Sequence, residues 1–136
     1  MVATLLVVED DDDVRDLAVN VLRDAGYRVL PAMNGGIALV MLEQELPIDL
    51  MFTDVVMPGD PDGFILAERA KELRPNLKIL YATGFSGLSR AEGRARIHGT
   101  IMEKPYRPTG LLREVARLLA SDEPSAQAQQ EAPVHR

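Results

Sequence analysis

The chain has 136 residues, a net charge of −6 and 46% hydrophobic residues, enough for one compact domain with a core and too little for two. The lack of any cysteine excludes disulfides and thiolate metal sites and fits a reducing cytoplasm. The acidic balance argues against a nucleic-acid surface, whose mark is a basic face: the one basic cluster, Arg90, Arg94 and Arg96, lies among Glu and Gly and reads as a solvated helix face.

Leu5 to Val8 is a continuous apolar run that stops at Glu9, with no basic residues before it. It reads as a strand buried on both faces rather than a signal peptide, and no apolar run reaches the roughly 20 residues that span a bilayer. Val14, Leu17, Ala18, Val21, Leu22 and Ala25 recur at helical spacing, with Asp12 or Asp13 as the cap and Gly26 as the stop. Tyr27 to Ala32 predicts a second strand, and Asn34 caps a helix carrying Ile37, Val40 and Met41. Ile48 to Thr53 predicts a third strand ending at Asp54, Phe64 to Leu73 a third helix stopped before Pro75, and Leu77 to Ala82 a fourth strand. Ser86 to Ile97 is a weaker helix, Thr100 to Glu103 a short fifth strand, and Pro108 or Thr109 opens a last helix with Leu111, Leu112, Val115, Leu118 and Leu119. Residues 121–136 are rich in Ser, Ala, Gln, Glu and Pro and predict a disordered tail behind a domain of residues 1–120.

Strands alternating with helices predict an α/β fold, an open, doubly wound, five-stranded parallel sheet with helices on both sides. In such sheets ligands sit beyond the carboxyl ends of the strands. The residues there are Glu9-Asp10, Asp54, Thr83-Gly84 and Lys104-Pro105. Each pair alone is an ordinary turn or surface feature; together they bring three carboxylates, a hydroxyl and an ammonium to one edge. Crowded carboxylates repel by about 4 kcal/mol per pair at 4 Å and an effective dielectric of 20. A hard divalent cation relieves that repulsion, and an all-oxygen set without His or Cys favours Mg²⁺ or Mn²⁺ over Zn²⁺. A phosphoryl group on Asp54 would add a metal-ligating oxygen, with Lys104 and Thr83 answering its other two.

At these residues the chain resembles the receiver domains of two-component response regulators, from about Thr4 to Ala120. The motifs are Leu-Leu-Val-Val-Glu-Asp at 5–10, Asp-Val-Val-Met-Pro-Gly at 54–59, Asp-Gly-Phe at 62–64, Ala-Thr-Gly at 82–84 and Lys-Pro-Tyr at 104–106. The resemblance implies a flavodoxin-like strand order 2-1-3-4-5. It implies Glu9 and Asp10 as the acidic metal pair (Asp10 the direct ligand), Asp54 as phosphoacceptor and metal ligand, and the Val56 carbonyl as third protein ligand. It further implies Thr83 as switch hydroxyl, Lys104 as the phosphate-binding lysine, and a cis Lys104–Pro105 bond. The loop after Asp54 is one residue longer than the commonest version and resembles receivers that work with hybrid histidine kinases. Ile101 stands where many receivers carry a rotating aromatic ring, which shifts the expected switch to the Thr83-Gly84 loop and the 86–97 helix. Tyr81 to Phe85 resembles the Phe-Ala-Thr-Gly motif of a single-domain subgroup.

These features predict a cytoplasmic, stand-alone phosphoacceptor rather than an enzyme. Its expected partners are a sensor or hybrid histidine kinase or a phosphotransfer protein, together with a downstream protein, with no nucleic acid and no membrane; a homodimer is allowed. Val56 and Phe85, both apolar beside the phosphoryl site, predict a long-lived phospho-Asp54. Two alternatives stay open. Asp10 to Val14 also fits the Asp-x-Asp-x-Val signature of haloacid-dehalogenase-type phosphatases, with Asp10 as nucleophile, although no acidic metal motif of that family follows Lys104 and no cap insertion is evident. A degenerate receiver serving only as a binding module is the other. Neither His98, in a glycine-flanked loop, nor His135, in the tail, reads as catalytic.

Overall fold

The computed structural model describes residues 2–44, 46–57, 61–84 and 98–121. Its elements run β1 (Thr4–Val8), α1 (Asp12–Asp24), β2 (Arg28–Ala32), α2 (Gly35–Glu43), β3 (Leu50–Asp54), α3 (Gly63–Leu73), β4 (Lys78–Thr83), β5 (Thr100–Glu103) and α4 (Pro108–Ala120). The strands form one parallel sheet in the order β2-β1-β3-β4-β5. This is the doubly wound, flavodoxin-like arrangement expected. β1 and β3 are buried at every position, as strands covered on both faces must be. One apolar layer joins α2 and α3 to the sheet through Leu6, Met51, Leu66 and Tyr81. The other joins α1 and α4 through Leu5, Leu22, Leu80 and Leu111.

The helix ends follow from local chemistry. Asn34 and Asp62 accept from the amides of Ile37 and Ile65 and cap α2 and α3, and Pro108 occupies the first turn of α4, where its missing N–H costs nothing. α1 ends at Gly26, whose φ of 101° suits a residue without a Cβ. The Gly26 amide donates to Arg23 and the Tyr27 amide to Leu22, closing the last turn.

Three sequence expectations are corrected. The cap of α1 is Asp11, whose carboxylate accepts from the Val14 amide at 3.0 Å, and not Asp12 or Asp13, which lie inside the first turn. On α1, Leu17 and Ala25 face solvent while Val19 is buried. On α2, Ile37 and Val40 are exposed and the inward face is Gly35, Ala38 and Leu42. Small residues line that inward face because α2 packs closely: a Cβ at Gly35 would fall 2.9 Å from the Pro61 ring. The expected helix at 86–97, with Arg90, Arg94 and Arg96, and the expected tail beyond Ser121 lie outside the described residues.

Candidate functional site

Parallel pairing brings the carboxyl ends of all five strands to one edge. In register, Val8 lies beside Thr53, Asp54 beside Ala82, and Thr83 beside Glu103. The residues that follow therefore converge: Glu9 after β1, Asp54 as the last residue of β3, Gly84 after β4 and Lys104 after β5.

The Lys104 ammonium sits 3.2 Å from Asp54 Oδ2 and 3.3 Å from Glu9 Oε1. Carboxylate oxygens of Glu9, Asp10 and Asp54 lie within 4.8 Å of one another. Asp54 is 9% exposed and Glu9 7%, whereas Asp10 is open to solvent. Both Glu9 oxygens are engaged, since Oε2 accepts from the Asp11 amide at 3.1 Å. That leaves Asp10 the better placed of the acidic pair to reach an ion from solvent. The Val56 amide donates to Asp54 Oδ1 at 3.3 Å, which folds the loop after β3 back over the carboxylate. Thr83 is fully buried, and its hydroxyl donates to the Gly84 carbonyl at 3.4 Å. The Lys104 amide donates to the Thr83 carbonyl at 2.8 Å, and the Lys104–Pro105 bond is cis, as expected.

Burial pushes the Glu9 and Asp54 carboxyls above their ordinary range, and the nearby Lys104 charge only partly opposes this. For Lys104, burial works to lower the ammonium, but Asp54 and Glu9 together outweigh it and hold it raised. Two buried carboxylates sharing one ammonium leave the edge short of positive charge. The donor set, carboxylate oxygens clustered without His or Cys, fits a hard divalent cation such as Mg²⁺.

Gly63 locks this edge from behind. Its amide donates to the Val55 carbonyl at 2.9 Å, and a Cβ there would fall 2.7 Å from Val55 Cα. α3 thus begins in contact with the backbone that carries Asp54. A cavity of about 520 Å³, lined in part by Ala3, Asp49, Arg74 and Lys78, opens at the opposite, amino end of the sheet; volume does not locate the site, chemistry does. Asp12, second aspartate of the phosphatase signature, is 76% exposed and paired with Arg15 at 2.6 Å instead of joining the cluster. One contributor escaped the sequence reading: Arg15 donates to the Glu9 carbonyl at 2.9 Å. Its signal was a cation three residues after Asp12, in the first turn of a helix where acids are the rule.

Among the described residues, no helix is long and apolar enough to cross a membrane. A family model described as response regulator receiver domain matches residues 5–116. The response regulator receiver protein CpdR of Brucella abortus is 38% identical over 116 residues, covering 85% of this chain and 95% of that protein. Among solved structures, a response regulator receiver protein from Sinorhizobium medicae aligns with a TM-score of 0.81 at 31% identity, over 90% of this chain and 98% of that one. The receiver domain of the hybrid histidine kinase CckA aligns with a TM-score of 0.71 at 31% identity, over 86% of this chain and 99% of that one. A match that starts inside β1 and ends inside α4 takes in every element of the fold, and the chain belongs to the receiver domains of two-component response regulators.

Proposed function

We propose that Asp54 accepts a phosphoryl group from the phosphohistidine of a sensor or hybrid histidine kinase, or of a phosphotransfer protein, in the cytoplasm. The observation that carries this reading is the Asp54 carboxylate at the end of β3, 3.2 Å from the Lys104 ammonium and clustered with Glu9 and Asp10. A carboxylate oxygen of Asp54 attacks phosphorus, the P–N bond to the donor imidazole breaks with its electron pair returning to nitrogen, and an acyl phosphate remains. Lys104 neutralises one phosphoryl oxygen, and the Thr83 hydroxyl turns from Gly84 to donate to another. Mg²⁺ (or Mn²⁺), held by Asp10, Asp54 and the Val56 carbonyl with Glu9 behind them, supplies positive charge toward the phosphoryl oxygens when bound. The protein is a stoichiometric acceptor, not a turnover enzyme. The Thr83 reorientation biases a surface read by a downstream protein.

The test is incubation with acetyl phosphate and Mg²⁺, followed by phosphate-retarding electrophoresis. Wild type should shift, and Asp54→Ala should not. An unshifted wild type would favour a phosphate-independent binding module and sink the proposal. Phosphatase turnover lost in Asp10→Ala but kept in Asp54→Ala would point to the dehalogenase-type reading.

A further inference from the structure

We infer that Arg15 is a positioning residue for the divalent cation: it braces the acidic β1–α1 loop from behind and holds Glu9 and Asp10 at the spacing an ion requires. This rests on the metal reading given above. Five consecutive acids, Glu9 to Asp13, pass through this loop, and their mutual repulsion drives it to open. Each of the first four has a definite place. Glu9 bonds Lys104 and the Asp11 amide, Asp10 joins the cluster, Asp11 caps α1, and Asp12 pairs with Arg15. Among the described residues, Arg15 is the cation whose side chain spans the stretch. One guanidinium nitrogen donates to the Glu9 carbonyl at 2.9 Å, and the other meets Asp12 Oδ1 at 2.6 Å.

The setting is unusual for a cation that only decorates a surface. The Arg15 side chain is 16% exposed, and it sits in the first turn of α1, where the helix dipole disfavours positive charge. The Asp12 end of the brace is open to water and contributes little to stability. The Glu9 carbonyl end fixes the backbone from which Glu9 and Asp10 project. A planar, pre-organised fork meets the two ends through separate nitrogens; the compact lysine ammonium does not reproduce that spacing.

Charge and position make opposite predictions, which makes the inference testable. Arg15 places positive charge near the site, so by charge alone Arg15→Gln should bind Mg²⁺ more tightly. If Arg15 sets the loop, the same variant binds more weakly, by roughly tenfold, as loss of an outer-shell partner does elsewhere. Arg15→Lys keeps the charge and loses the fork, and it too weakens binding. Titrating MgCl₂ calorimetrically into the full chain reads this directly, with urea unfolding in EDTA as the stability control. Weaker binding in both variants, with wild-type unfolding midpoints in EDTA, supports the inference. Unchanged or tighter binding in Arg15→Gln overturns it while leaving the metal site standing, and unfolding of both variants in EDTA overturns it in favour of a purely structural brace. A wild type that binds no Mg²⁺ overturns the metal reading itself.

Discussion

Replacing Lys104 by Met should expose the electrostatic imbalance built into the carboxyl edge. Its ammonium faces Asp54 at 3.2 Å and Glu9 at 3.3 Å, and each pair is worth about 5 kcal/mol at an effective dielectric of 20. The lysine side chain is 28% exposed, so water screens part of this and the desolvation cost offsets more. Removing one partner of a buried pair typically costs about 3–5 kcal/mol; discounted for that exposure, the expected loss is about 2–4 kcal/mol. The assay is urea unfolding in EDTA at neutral pH. With a slope of about 1.5 kcal/mol per molar urea, the midpoint should fall by roughly 2 M. In a Glu9→Gln/Asp54→Asn background the same substitution should cost less than about 1 kcal/mol, because the charges it leaves behind are gone. Saturating Mg²⁺ should recover more stability in Lys104→Met than in wild type. A midpoint shift below about 0.3 M, or one of equal size in the neutralised background, would refute the reasoning.

Gly63→Ala should destabilise by about 2 kcal/mol in urea unfolding, since its Cβ meets Val55 Cα at 2.7 Å; a neutral or stabilising result, as for an ordinary helical glycine, would show that the close approach relaxes freely. Val56→Asn should shorten the lifetime of phospho-Asp54, followed by loss of the retarded band, because an amide side chain can orient a water that valine excludes; fast hydrolysis in the unmodified protein would sink this idea. Tyr106 is edge-on to Phe52 at 5.7 Å, and burial raises its phenol above the usual value of 10.0. The folded state therefore keeps a proton that the unfolded chain has lost, and the stability Tyr106 contributes, complete below pH 10, declines as pH rises through its folded value. Tyr106→Phe should flatten that decline in unfolding midpoints measured against pH, and an unchanged slope would count against it.

Most of the architecture was legible because a parallel sheet covered on both faces writes its strands as short unbroken apolar runs, as in Leu5 to Val8. The site followed from them, since parallel strands send Glu9, Asp54 and Lys104 to one edge without further information. What misled was local degeneracy. Any of Asp11, Asp12 and Asp13 satisfies the chemistry of a cap, and only backbone geometry selects Asp11. Helix α2 has no charged residue before Glu43, so periodicity gives no polar face against which to orient it, and apolar residues such as Ile37 and Val40 do not by themselves mark its inward side. Packing of the helix onto the core, rather than hydrophobicity alone, selects Ala38 and Leu42. The brace from Arg15 was hidden because it bonds a main-chain carbonyl, and residue type alone does not show which carbonyls a guanidinium will meet.

The ion pair between Glu9 and Lys104 joins residues 95 apart in sequence, and that between Asp54 and Lys104 residues 50 apart. During synthesis the chain emerges amino end first, so Glu9, Asp10 and Asp54 are all present before the Lys104 ammonium that meets Glu9 and Asp54 has been made. A nascent chain that ends before β5 holds these acids without the Lys104 counter-charge. Lys104 arrives with the edge strand, behind everything it has to complete. If Asp54 takes the proposed phosphoryl group with Lys104 answering its charge, receipt of that group also depends on a chain translated through its fifth strand.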